Sequence, residues 1–240
     1  MLKEAVLRVK VLEERHLKTQ KYVKYVRLGY HHDMPSRNAL KIDVSDSYYH
    51  IYSRGHSRTK IFLEDSDYKY FIKLFQRYLS KAPTQNKQGT VYPHLYNKLE
   101  LLCYCLMENH FHLLIYQKDE GAMTLLMRGI MASYSRYFNQ KYNKSGALFE
   151  SRYKASMINE QSYLEHISRY IHLNRKQWQD SEYSSIKYYL TNQKVDWLKP
   201  NKILGLYNNR EEYLQFVADY QENQNMLDEL KYELANDITS

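Results

Sequence analysis

His110-Phe111-His112 sets two imidazoles two residues apart. On a strand, residues i and i+2 share a face with origins roughly 6–7 Å apart. Both rings can therefore converge on one metal ion while Phe111 packs into the opposite face. Ten histidines in 240 residues produce about 0.4 such spacings by chance, so the pair alone fits packed histidines as well as ligands. Downstream, Tyr163, His166, Tyr170 and Asn174 follow one another at three, four and four residues, which makes one stripe on a helix. That stripe alone also fits a half-buried helix face. Together the two groups gain a chemical meaning. A tyrosine hydroxyl, with a pKa of about 10, is a weak nucleophile at neutral pH. It becomes competent when a nearby cation polarises the electrophile. A metal held by His110, His112 and an amide oxygen such as that of Asn174 would place a cation beside Tyr170, and a phosphodiester is the electrophile that suits the surrounding charge.

The elements that must position these residues are legible in the patterning. Tyr48 to Ser53, aromatic and β-branched and stopped by Arg54-Gly55, predicts a strand. Asp65 and Asp67 precede Tyr68, Phe71, Ile72, Leu74, Phe75 and Leu79 at helical spacing, an amphipathic helix with an acidic start. Leu99 to Leu106 alternates, with Leu99, Leu101, Cys103 and Cys105 assigned to one face; Met107-Glu108-Asn109 turns the chain, and His110 to Tyr116 returns as the second arm of a hairpin. A long helix is expected from Gly121 to about Tyr142 with Leu125, Leu126, Ile130, Tyr134, Tyr137 and Phe138 on its apolar face. A strand over Leu148 to Ile158 and a helix from about Gln161 to Asn174 follow. The order β-α-β-β-α-β-α predicts an α+β fold: a ferredoxin-like split βαβ arrangement, an antiparallel sheet with helices on one face, plus a helical C-terminal extension.

Composition bounds the partners. Lys plus Arg number 35 and Asp plus Glu 27, a net charge of +8, which favours a polyanion. Hydrophobic residues at 43% can close a core, and seven Gly with four Pro exclude collagen-like or linker-dominated chains. Cys103 and Cys105, one residue apart, cannot build a disulfide framework and point to a reducing compartment. Charged residues interrupt the N-terminus and no run of about 18 apolar residues exists, so neither a signal peptide nor a membrane span is expected. The cytoplasm is the expected location. Twenty-six tyrosines are far more than ordinary usage; tyrosine can pack, stack on bases or attack phosphorus. For Tyr134, Tyr137 and Tyr153, packing is the favoured use.

Four segments then resemble the single-tyrosine HUH transposases of the insertion sequence 200/605 type, in the branch similar to REP-associated tyrosine transposases. They are Tyr49-His50-Ile51-Tyr52-Ser53-Arg54-Gly55; Tyr104-Cys105-Leu106-Met107-Glu108-Asn109-His110-Phe111-His112-Leu113-Leu114; Gly146-Ala147-Leu148-Phe149-Glu150-Ser151-Arg152-Tyr153-Lys154; and Tyr163-Leu164 followed by Arg169-Tyr170-Ile171-His172-Leu173-Asn174. They fall in the family's order and span roughly residues 35–200. The resemblance implies a catalytic domain over 34–175, with 1–33 as an extension, read as lying upstream of the natural start, and 176–240 as the mostly helical extension. It implies that His110 and His112 are metal ligands, that Asn174 completes the site, and that Tyr170 is the nucleophile. The activity implied is endonuclease and strand transfer on single-stranded DNA carrying hairpin-forming repeats, through a 5′-phosphotyrosine, with Mg or Mn as the divalent cofactor. Imidazole favours Mn over Mg on ligand grounds. Arg54, Arg58, Arg152, Lys154 and Arg169 are the expected DNA contacts. Whether the chain works as a homodimer is left open.

Two residues depart from the family pattern. Glu108 stands where proline usually precedes Asn-His, and Arg175 where proline usually follows the Asn. Glu108 could weaken DNA approach or add an acidic ligand. Two rival readings use the same residues: a domesticated nucleic-acid-binding protein that no longer cuts, and a metal phosphoesterase that hydrolyses with activated water.

Overall fold

A computed structural model describes residues 43–158, 161–175 and 177–219; the expectations for 1–33 and for the end of the C-terminal extension lie outside the described residues. Strand β1 (Ser47–Arg54) leads through a short 3-10 turn (His56–Arg58) to helix α1 (Asp65–Leu79). The hairpin is β2 (Leu99–Leu106) and β3 (His110–Gln117), followed by α2 (Ala122–Lys141), β4 (Lys154–Ile158) and α3 (Gln161–Leu173). Three short helices follow: α4 (Ile186–Leu190), α5 (Asn201–Leu204) and α6 (Arg210–Ala218). The strands form one antiparallel sheet in the order β2-β3-β1-β4. Strand order and pairing are those expected of a ferredoxin-like sheet, with the central strands β3 and β1 paired Tyr52 to His112 and Arg54 to His110. Helices cover both faces rather than the one expected, because the alternate side chains of β2 and β3 are apolar too.

Helices α1 and α2 cover one face of the sheet, where Phe71, Phe75, Ile130 and Phe138 pack on Tyr49, Ile51, Phe111 and Leu113. Helix α3 and the C-terminal helices cover the other, where Ile167, Ile171, Tyr189 and Tyr213 pack on Leu114, Cys103 and Cys105. Burial on both faces explains the near-continuous apolar runs Leu101–Leu106 and Phe111–Ile115.

Three local expectations are corrected. The register of β2 slips between Leu101 and Cys103. A bulge puts an extra residue into one strand and shifts its alternation, so Leu99 and Leu101 face α1 and α2 whereas Cys103 and Cys105 face α3. The strand predicted from Leu148 begins only at Lys154: Leu148 and Phe149 are buried plugs in a loop bonded to the end of β1 through His56 N–H to Leu148 O and Glu150 N–H to Arg54 O. Leu125, assigned to the apolar face of α2, is exposed.

Asp67, in the first turn of α1, is fully buried and accepts from Lys141 Nζ at 2.7 Å, Tyr142 Oη at 2.8 Å and the N–H groups of Leu63 and Glu64 at 2.8 and 3.1 Å. Burial raises its pKa, but these donors outweigh that and hold it below the ordinary value. A carboxylate depressed in the folded state contributes stability that is fully present above its unfolded pKa of about 3.9 and is lost as pH falls through the folded value. Asp67→Asn is therefore expected to lose about 2 kcal/mol at pH 7 and to show a flatter fall of the urea midpoint below pH 4 than the wild type.

Candidate active site

His110 and His112 point from β3 toward α3, with ring centroids 5.1 Å apart and nearly perpendicular. His112 is buried and His110 half-buried. Three-residue and four-residue spacing places Tyr170 on the sheet-facing side of α3 beside Ile167 and Ile171. Its ring lies edge-on to His112 at 5.3 Å and to His50 at 6.0 Å, and it is 8% exposed. Just past the helix end, the Asn174 Nδ2 donates to the Tyr170 carbonyl at 3.0 Å. The same amide favours the charged forms of both neighbours, raising the His110 pKa and lowering that of Tyr170 against the larger effect of burial. The four side chains singled out from spacing thus come together, all from one chain.

The two imidazoles present matching edges. His110 Nδ1 lies 2.7 Å from Asn109 Oδ1, and the Asn109 Nδ2 donates to the Arg58 carbonyl at 3.2 Å. With the amide nitrogen committed to Arg58, the oxygen must face His110, which makes His110 Nδ1 the donor and leaves Nε2 with its lone pair. His112 Nδ1 is likewise engaged, 2.9 Å from His50 Nε2. Burial, followed by the positive charge of Arg54, lowers the His110 pKa to about 4. Burial, then the neighbouring His110, His50 and Arg54, pushes His112 well below its ordinary value. A neutral imidazole that donates from Nδ1 and keeps the lone pair on Nε2, as His110 does, is what a divalent metal takes as a ligand. No three His, Cys, Asp or Glu side chains gather as a metal cluster among the described residues; the third donor within reach is the Asn174 amide. Two imidazoles and an amide oxygen make a donor set that fits a divalent cation.

Tyr170 is held protonated: burial raises its pKa, opposed by Asn174 and the charge of Arg54. Arg54, opposite His110 across β1 and β3, is the expected DNA contact placed nearest the site. Arg58 is exposed in the 3-10 turn. Arg152 is exposed on a cavity of about 660 Å³ that Arg128, Phe149 and Tyr153 also line. Lys154 lies opposite Tyr52 on β4, with Nζ 6.0 Å from that ring.

Arg169 does not fit the DNA role expected of it. It is 1% exposed, its Nη1 donates to the carbonyls of Phe216 and Asp219 at 3.2 and 3.4 Å, and its Nη2 meets His166 Nδ1 at 2.9 Å. The guanidinium ties α3 to the end of α6, and His166 serves that contact rather than the site. Arg169→Ala is expected to cost about 3 kcal/mol, since charge-assisted hydrogen bonds are lost in a buried place. The same variant should leave the salt dependence of oligonucleotide binding unchanged, whereas loss of a phosphate contact would flatten that slope by about one counterion.

Glu108 does not join the histidines either. Its carboxylate pairs with Lys60 at 2.8 Å in solvent. Arg175 donates to the Leu106 carbonyl at 2.8 Å and lies over Tyr68 and Tyr183, so it fastens the end of α3 to the hairpin. Gly55 is needed for the same hairpin: its N–H donates to the Asn109 carbonyl at 2.8 Å, and a Cβ there would collide with the Thr59 carbonyl. Tyr134 and Tyr153 are buried and Tyr137 stacks on Tyr70 at 3.9 Å, so all three pack. Cys103 and Cys105 are buried beside Tyr170, and burial raises both thiols, Cys105 to about 12. Sequence reasoning missed His50 and Asn109 as partners of the histidine pair. Both lie in the quoted motifs, but only the β1–β3 register reveals what they touch.

The family model for IS200-like transposases matches residues 43–174, more than half of the chain. A comparison with curated proteins returned no match. Among solved structures, one of a REP-associated tyrosine transposase bound to a REP hairpin is similar, with a TM-score of 0.46 and 13% identity, covering 67% of this chain and 90% of that one.

Proposed function

The chain belongs to the IS200-like transposase family, and on that premise we propose that it is a metal-dependent endonuclease and strand transferase for single-stranded DNA, with Tyr170 as nucleophile and hairpin-flanked sites as targets. The observation that carries this reading is the Tyr170 ring 5.3 Å from His112, with His110 5.1 Å from His112 and Asn174 bonded to the Tyr170 carbonyl. His110, His112 and Asn174 would hold the divalent cation, Mg or Mn. When bound, the cation supplies Lewis-acid polarisation of the scissile phosphate.

The protein's own groups do the rest. Asn174 and the nearby Arg54 favour the phenolate that Tyr170 must approach as it attacks. Arg54, Arg58, Arg152 and Lys154 would hold the strand by its phosphates, a contribution that weakens with salt. In the transfer step the Tyr170 oxygen bonds to phosphorus, the bond to the 3′-oxygen breaks, and the proton lost by the phenol is balanced by the one the 3′-oxygen takes up. The 5′-phosphotyrosine keeps the energy of a phosphodiester, so a second 3′-hydroxyl can reverse the step on another strand. Such chemistry needs no nucleotide cofactor and belongs in the cytoplasm with the nucleoid.

The test is incubation with Mn²⁺ and 5′- or 3′-labelled single-stranded oligonucleotides carrying a hairpin. The 3′-labelled fragment should remain on the protein through a denaturing gel while the 5′-labelled fragment is released. Cleavage with both fragments free would replace this reading with hydrolysis. Binding without cleavage would favour a DNA-binding protein that has lost its catalysis.

A further inference from the structure

We propose that His50 is a positioning residue that sets which nitrogen of His112 faces the metal. The inference rests on the reading of His110, His112 and Asn174 as the metal-holding set. His50 lies on β1 two residues before Tyr52, the register partner of His112, and so occupies the diagonal position on the same face of the sheet. Its Nε2 is 2.9 Å from His112 Nδ1, the two rings meet edge to edge with 19° between their planes and centroids 5.1 Å apart, and His50 is 2% exposed.

One proton lies between those two nitrogens, and its owner decides what His112 can do. If it belongs to His112 Nδ1, then His112 Nε2 carries a lone pair and can ligate. If it belongs to His50 Nε2, then His112 carries its own proton on Nε2 and is blocked. The Asn109 amide resolves the same choice for His110, because its oxygen can only accept. His50, accepting at Nε2, does so for His112 with the lone pair of a neutral imidazole. Hydrogen-bond partners on the far nitrogen of a ligating histidine fix ring orientation and tautomer, and their loss typically weakens metal affinity by about 10–100-fold. The near-coplanar rings, 19° apart, aim the two nitrogens at each other, and Tyr170 packs at right angles to His50 at 6.0 Å.

The experiment measures Mn²⁺ affinity by electron paramagnetic resonance of the free ion, without DNA. His50→Phe keeps a ring but offers no acceptor and should bind Mn²⁺ about 10–100-fold more weakly than wild type. His50→Gln, whose amide oxygen can replace Nε2, should restore affinity to within a few-fold. Equal affinity in wild type and a folded His50→Phe overturns the proposal. A loss in both variants as complete as in His112→Ala also overturns it, since His50 would then be a ligand. A measurement on the wild type guards against variants that do not fold: two-bond proton–nitrogen correlations of the metal-free protein should show His112 and His50 both protonated at Nδ1. An Nε2-protonated His112 refutes the assignment. Failure of the underlying reading has a separate signature, namely wild type that binds no Mn²⁺, or His110→Ala and His112→Ala binding as well as wild type, and His50 then has nothing to position.

Discussion

Tyr170→Phe is expected to abolish the denaturation-resistant protein–DNA adduct and to lower the cleavage rate by a factor on the order of 10⁴ or more, the scale seen when a nucleophile is removed from a preassembled site. The substitution removes one oxygen and keeps the ring that packs on Ile167, Ile171 and Cys105. Folding stability should therefore change by no more than about 1 kcal/mol. Mn²⁺ affinity should stay within a few-fold, because the proposed ligands, both imidazoles and the Asn174 amide, are unchanged. That combination separates a nucleophile from a packing tyrosine. Tyr134→Phe, which loses a hydroxyl bonded to the Ile61 carbonyl in the core on the other face of the sheet, should lose stability and keep the adduct. Cleavage that survives in Tyr170→Phe would mean that water, not the phenol, attacks phosphorus.

His112→Ala has the second large effect. It should eliminate measurable Mn²⁺ binding and, with it, cleavage at every Mn²⁺ concentration tested, as treatment with a chelator should in the wild type. The variant also leaves His50 Nε2 without its partner in a buried place, a loss of about 2–3 kcal/mol once the cavity is included. Calorimetry of metal binding at a temperature well below the unfolding transition distinguishes the two consequences. Retained Mn²⁺ affinity in folded His112→Ala would remove the metal site from β3 altogether.

Much of this architecture could be read from patterning because most of the chain follows simple rules. The period-two runs around Ile51 and Leu113 and the three-four spacing around Phe71 and Ile130 each correspond to one face of one element. The tyrosine stripe was legible for the same reason, since i to i+4 spacing on a helix holds regardless of what lies opposite. The misses arise where a neighbour remote in sequence decides. The bulge after Leu101 changes the phase of β2 through pairing with β3, which no local alternation announces. Leu148 and Phe149 have strand-like side chains, yet their backbone is bonded to single residues of the β1 end rather than to a ladder. The charge of Arg169 suggests a DNA contact, and the helix that buries it begins at Arg210, 41 residues later. His50 and His112 are 62 residues apart, and only the register of the two central strands makes them neighbours.

His172 ties helix α3 to the C-terminal extension in the second core. Its Nδ1 meets Tyr213 Oη at 2.7 Å and its Nε2 meets Ser185 Oγ at 2.8 Å, so α3 is braced from behind while Tyr170 faces the sheet.

Because the phenol, both imidazoles and the amide are carried by a single polypeptide, no exchange of parts between molecules is required. Turnover per molecule should be indifferent to dilution, and a mixture of Tyr170→Phe with His112→Ala protein should stay inert, each defective copy having nothing to lend the other.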